Sequence, residues 1–205
     1  NTIHTTHGRA LTFATGIKMA NPKLTVIVIT GDGDSVAIGG NHLIHACRRN
    51  IDITTIVYNN NIYGMTGGQY SPTTPTGDKG TTAPYGNIDS NFDLCNLAIA
   101  AGATYAGRST VYNPKLITKL VEDGINNKGF SFIETLSICP TYYGRKNKKG
   151  EAVDMMKYLK DNSINVESTE KLSKEEIENK IVVGKLYDNS RPEYTAEYQR
   201  IIDYF

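Results

Sequence analysis

Apolar residues along this chain fall into short β-branched runs separated by stretches with helical spacing. Leu24–Thr30 and Ile53–Tyr58 are runs of this kind, and their length and composition predict two buried strands. Between them, Val36–Arg49 reads as one helix, with Ile38, Leu43, Ile44 and Cys47 on its buried side. Gly8–Ala20 predicts a helix ahead of the first strand, packed against the same sheet. Phe92–Ala101 predicts a further helix. Ala103–Ser109 and Phe130–Leu136 predict strands, separated by a helix that starts at Pro114. Strands alternating with helices imply right-handed βαβ units, hence an α/β fold with a mostly parallel sheet flanked by helices.

Two segments break this rhythm. Asn59–Ser90 is rich in Gly, Pro and Thr and has no apolar period; a loop of that length inside a compact domain is usually functional. After Cys139 the pattern changes again. Arg145-Lys146-Asn147-Lys148-Lys149-Gly150 is a basic turn, Glu151–Lys160 predicts a helix, and Ser173-Lys174-Glu175-Glu176 has the form of a capping box. The tail from Ile181 to Phe205 mixes apolar residues and tyrosines with charges. The chain therefore divides into a main domain, 1–150, and a helical extension, 151–205, that packs on the domain or on a partner subunit.

Charge narrows the function classes. Lys and Arg number 22 against 21 Asp and Glu, so nothing favours nucleic acid or an anionic membrane as partner. No apolar run approaches the roughly 20 residues that span a bilayer. The opening Asn1-Thr2-Ile3-His4 lacks the basic-then-apolar pattern of a signal peptide. Three cysteines, Cys47, Cys95 and Cys139, make no disulfide framework, and a reducing cytoplasm is the expected location.

The candidate chemistry lies at the ends of the first two strands. Gly31-Asp32-Gly33-Asp34 follows the first, and Asn59-Asn60-Asn61-Ile62-Tyr63-Gly64-Met65-Thr66-Gly67-Gly68-Gln69 follows the second. Ligands of open α/β sheets bind beyond the carboxyl ends of strands. Asp32 and Asn60 are hard oxygen donors suited to Mg²⁺, which takes few protein ligands and fills its octahedron with phosphate and water. The glycines let backbone N–H groups approach a phosphate. The plain alternatives are a turn aspartate and an Asx-turn asparagine. Asp34 either contacts the ligand, orients Asp32 or caps the following helix.

A Gly-Asp-Gly followed by a strand and then Asn-Asn resembles the thiamine-diphosphate motif. The resemblance implies that Asp32, Asn60 and the backbone carbonyl of Ile62 hold the cofactor's Mg²⁺. His4-Thr5-Thr6-His7-Gly8-Arg9, Ala14–Lys18, Ile62–Gln69, Ser71–Pro75, Cys139-Pro140-Thr141 and Arg191-Pro192-Glu193-Tyr194 extend it nearly end to end. The chain so read is similar to the β subunit of 2-oxoacid:ferredoxin oxidoreductases, most of all to the 2-oxoglutarate branch. This implies that residues 1–150 bind thiamine diphosphate, with His7, Gly31, Asp32, Gly33, Asp34, Asn60, Ile62, Gly64, Met65 and Thr66 around it. It implies oxidative decarboxylation of a 2-oxoacid with coenzyme A as acyl acceptor and ferredoxin as electron acceptor. A branched-chain 2-oxoacid is the second choice of substrate. His7 and Arg9 are the cations at hand for a distal carboxylate, although Arg9 reads first as structural or subunit-facing.

In the family, Cys139 is the last ligand of a [4Fe–4S] cluster. The other three ligands precede the His-Thr-x-His-Gly-Arg segment, so the expectation is a subunit lacking its N-terminal cluster segment. The glutamate that activates the cofactor comes from the α subunit. The expected assembly is a hetero-oligomer with that subunit, or self-association of the fragment alone. A non-redox thiamine-diphosphate enzyme and a non-catalytic assembly subunit are the other classes open at this point.

Overall fold

The computed structural model describes residues 1–205. In chain order the elements are α1 (Ala10–Ala20), β1 (Ile27–Gly31), α2 (Gly40–Arg49), β2 (Thr54–Asn59), β3 (Ile62–Tyr63), β4 (Gln69–Tyr70), α3 (Leu94–Ala101), β5 (Tyr105–Thr110), α4 (Pro114–Asn126) and β6 (Ser131–Leu136). They continue as α5 (Ala152–Asn162), β7 (Ser163–Asn165), α6 (Val166–Thr169), α7 (Lys174–Glu178), β8 (Ile181–Asp188) and α8 (Tyr194–Tyr204). Six strands form one sheet in the order β1-β2-β6-β5-β8-β7, and β3 and β4 make a separate small hairpin. The first four sheet strands are parallel, as expected of βαβ units.

Helices cover the sheet unequally. Val28, Val57 and Phe132 point to one face, where Leu11 and Ala14 of α1, Leu43, Ala46 and Cys47 of α2, and Leu94, Cys95 and Ala98 of α3 complete the main core. On the other face α4 packs Leu120 against Tyr105 and Ile133. Asn113 caps α4 by accepting from the Leu116 N–H, and Pro114 occupies its first turn. Ile29 of β1 is 68% exposed, and Tyr58 of β2 is also exposed.

The expected single helix at Val36–Arg49 is interrupted. Residues Asp34–Ile38 form a π-helical turn, and α2 begins only at Gly40. A side chain at Gly39 would put its Cβ 2.3 Å from the Asp34 carbonyl, so the tight turn requires glycine there. The buried stripe of α2 is Leu43, Ala46 and Cys47, while Ile38 and Ile44 are exposed. Ile38 lies five residues before Leu43, off the i, i+3, i+4 face.

The extension 151–205 is not purely helical, contrary to the sequence reading. β8 pairs antiparallel with β5, and β7 pairs parallel with β8, so this segment supplies two strands of the main sheet. Its apolar residues Ile181, Val182 and Val183 pair with β7, and the stretch from Gly184 to Asp188 pairs with β5, which local pattern does not reveal. Arg191 then locks the segment down. Its Nη2 lies 2.8–3.2 Å from the carbonyls of Cys47, Arg48 and Gly102, at the carboxyl ends of α2 and α3. Asn50 donates to the carbonyls of Arg191 and Pro192, and Glu193 accepts from the Asp52 N–H while capping α8.

Candidate cofactor site

Asp32 stands directly after β1 and Asn60 directly after β2, two adjacent parallel strands. Their carboxyl ends open on a cavity of about 860 Å³, within the range of small-molecule sites. All ten residues expected around the cofactor line it: His7, Gly31, Asp32, Gly33, Asp34, Asn60, Ile62, Gly64, Met65 and Thr66. Ile29, Thr30, Tyr58, Tyr63 and Gln69, not singled out from the sequence, complete the wall. A second cavity of about 540 Å³, between Pro75, Tyr143, Met155 and Ile181, holds none of the ten.

Asp32 is 3% exposed. Its Oδ2 accepts hydrogen bonds from Ser71 Oγ and Thr73 Oγ1, both at 2.6 Å. Both hydroxyl bonds fall on that oxygen, and the backbone N–H groups of Asp32 and Gly33 also act on the carboxyl. Burial pushes the carboxyl up from its ordinary value, against the pull of Ser71 and Thr73. A buried carboxylate under this strain gains most from a cation beside it.

Asn60 Oδ1 accepts from the Ile62 N–H at 3.1 Å, so the Asx-turn is real and occupies one of two lone pairs. The turn is stabilised from outside by Thr74, whose hydroxyl donates to the Asn61 carbonyl at 2.5 Å. The oxygens of Asp32 and Asn60, with the Ile62 backbone beside them, suit a hard dication whose other ligands are phosphate and water. The residues present fit Mg²⁺–diphosphate.

Asp34 neither orients Asp32 nor caps a helix. Its carboxylate accepts from the Thr30 hydroxyl and the Gly8 N–H, both at 2.5 Å, and pairs with His7 Nδ1 at 2.7 Å. It thereby ties the His7-Gly8 segment to the end of β1. With Nδ1 so engaged, His7 has Nε2 left for the cavity. Arg9 Nη1 donates to the carbonyls of Gly8 and Ile38, and Arg9 does not line the cavity.

Gly33 is fixed by its neighbour. A Cβ there would lie 2.3 Å from Tyr63 Cζ, and the Tyr63 hydroxyl donates to the Gly33 carbonyl at 3.1 Å. Burial, then Asp32 and Asp34, push the Tyr63 phenol up, which keeps it a neutral donor. Met65 is 99% exposed at the cavity rim, an apolar side chain with no cover from its own chain.

Cys139 does not line the cavity but abuts it. Its Sγ would be 3.7 Å from a Cβ placed on Gly64. It packs with Ile62, Tyr143 and Met155, whereas Cys47 and Cys95 are sealed in the main core, where burial raises both thiols.

Residues 1–135 match the family model described as "Thiamine pyrophosphate enzyme, C-terminal TPP binding domain". The chain is 56% identical over 203 residues to the "2-oxoglutarate synthase subunit KorB" of Methanocaldococcus jannaschii, covering 99% of this chain and 75% of that one. It is 49% identical over 140 residues to the "2-oxoacid:ferredoxin oxidoreductase subunit beta" of Saccharolobus solfataricus, covering 68% of this chain and 46% of that one. Among solved structures it superposes on the 2-oxoglutarate:ferredoxin oxidoreductase of Magnetococcus marinus, solved with 2-oxoglutarate, coenzyme A and succinyl-CoA bound. The TM-score is 0.84 at 30% identity, over 97% of this chain and 68% of that one.

Proposed function

This chain belongs to the KorB family, the β subunits of thiamine-diphosphate-dependent 2-oxoacid:ferredoxin oxidoreductases, and from that premise we propose how its residues serve the reaction. Asp32, Asn60 and the carbonyl of Ile62 hold Mg²⁺. Glycines 31, 33 and 64 bring the backbone up to the diphosphate, and Thr66 and the exposed Met65 border the cofactor's reactive end. His7, held by Asp34, offers Nε2 to the cofactor or the substrate. When bound, thiamine diphosphate supplies the electron sink for cleaving the bond between the keto carbon and the carboxylate. The observation that carries this reading is buried Asp32 set beside Asn60 and Ile62 in one cavity at the carboxyl ends of β1 and β2.

The assembly is a hetero-oligomer whose α subunit supplies the activating glutamate, with coenzyme A and ferredoxin as further reactants. The subunit name of the relatives supports the hetero-oligomer, and the name and ligands of the Magnetococcus enzyme support ferredoxin and coenzyme A as reactants. 2-Oxoglutarate is the proposed substrate. The test is viologen reduction by the purified hetero-oligomer with coenzyme A, comparing 2-oxoglutarate with pyruvate and 2-oxoisovalerate. The rate should be at least about tenfold higher with 2-oxoglutarate, because a site built to pair a distal carboxylate rejects analogues lacking it. A faster rate with either competitor would overturn the substrate assignment.

A [4Fe–4S] cluster does not fit these 205 residues alone. It takes four thiolates, and Cys139 is the one cysteine outside the main core. Cys139 is proposed as a single ligand, with the other three coming from beyond this sequence. Anaerobic reconstitution of the 205-residue chain with iron and sulfide should therefore give no stoichiometric cluster. A full [4Fe–4S] signal by absorbance and electron paramagnetic resonance would refute the ligand assignment.

A further inference from the structure

Glu134 sits in the middle of β6, 3% exposed. Its Oε2 receives Arg108 Nε at 2.6 Å, and its Oε1 accepts from Asn59 Nδ2 at 2.8 Å. Arg108 also reaches Asp93, the cap of α3, at 2.6 Å. Nothing in the cofactor cavity touches this buried group directly. Its one link toward the cavity is Asn59, the last residue of β2.

A carboxamide can sit in two orientations related by a flip. As the carboxylate partner of the Arg108 guanidinium, Glu134 offers only acceptor oxygens, so it selects the orientation with Nδ2 inward. The Asn59 Oδ1 then faces the turn and accepts from the Asn61 N–H at 3.0 Å. Asn61 holds a left-handed conformation, φ 63°, which this bond supports. The Asn59 carbonyl also receives the Ser137 N–H from the end of β6, so the main chain leaves β2 on a fixed course. The turn so held carries Asn60 and Ile62.

We propose that Glu134 is a positioning residue for the metal-binding turn, acting through the orientation of the Asn59 carboxamide. The inference rests on the reading above, in which Asn60 and Ile62 hold the metal. In the flipped orientation the Asn59 amide would point its N–H groups at the Asn61 N–H, and the turn would open.

The test uses the purified hetero-oligomer with Mn²⁺ in place of Mg²⁺, read by electron paramagnetic resonance in the presence of thiamine diphosphate. Two double variants lack the buried ion pair: Arg108→Met/Glu134→Gln and Arg108→Met/Glu134→Met. Only the first keeps an oxygen that Asn59 Nδ2 can reach. The second should bind Mn²⁺ at least about tenfold more weakly than the first, in the range typical of outer partners of a metal. Loss of packing alone would move both melting temperatures and leave the two Mn²⁺ affinities alike. Asn59→Ala leaves the Arg108–Glu134 pair intact, guards against misfolding of the doubles, and should show a similar loss relative to wild type. Equal affinities in two folded doubles, or an unchanged affinity in Asn59→Ala, overturn the inference. A wild-type complex that binds no Mn²⁺–thiamine diphosphate overturns the site reading, and the inference with it.

Discussion

Asp32→Ala is expected to abolish magnesium-dependent binding of thiamine diphosphate, with at least about 100-fold loss of affinity. Removing the outer partners of a metal already costs roughly 10–100-fold, and Asp32 is the one charged ligand in the proposed set. The metal-free protein should respond in the opposite sense to Asp32→Asn. Burial raises the Asp32 carboxyl above its ordinary value of 3.8 in the folded chain. Between that value and the folded one, the folded state holds a proton that the unfolded state has lost. Stability therefore falls as pH rises through this window, and above it the whole penalty is present. Asn keeps an acceptor for Ser71 and Thr73 and carries no charge. Metal-free Asp32→Asn should melt above wild type at pH 7, and the gap should close as pH falls toward 3.8. With Mg²⁺ and thiamine diphosphate in excess the order should reverse, because only the wild type is stabilised by binding. Calorimetric titration and scanning with and without the cofactor check both halves. Unchanged affinity in Asp32→Ala would remove the Mg²⁺ assignment.

Arg108→Ala is expected to be among the most damaging single changes in the sheet, costing about 3–5 kcal/mol. It would leave the Glu134 carboxylate buried without its cation, and it would remove a partner of Asp93 at the start of α3. Burial works against the guanidinium's charge, but Glu134 above all, with Asp93, holds it protonated. Removing both charges together, as in Arg108→Met/Glu134→Gln, should cost only about 1–2 kcal/mol, since no buried charge is then left without its partner. Urea unfolding of the three proteins tests the contrast. Equal losses for the single and double variants would mean that the pair contributes packing alone.

The strand-end chemistry was legible because it is local. Asp32 and Asn60 follow β-branched runs directly, and parallel neighbours bring such ends together without further information. What surrounds Asp32 was not legible as chemistry. Ser71 and Thr73 come from the long loop, and no period in that loop marks which hydroxyls turn inward. Glu134 and Arg108 did leave a signal: each is a lone charge inside a predicted buried strand, and a charge there needs a partner. The partner sits on a neighbouring strand, which spacing along one chain does not reveal. The break before α2 was written in Gly39-Gly40, a pair that a continuous helix would not favour. β8 was hidden because its pairing comes from β5, far back in the chain, and from the three-residue β7.

The position of β8 also sets a timetable. During synthesis β1, β2, β5 and β6 emerge first and can pair, but β5 then presents an open edge of backbone donors and acceptors. That edge closes only when Ile181–Asp188 has left the ribosome, and Arg191 pins α2 and α3 only after that. A nascent chain of this protein therefore spends the whole interval from β6 to β8 with a template for intermolecular pairing exposed. Residues 151–205 act in this respect as the domain's own chaperone, delivered last and built in permanently.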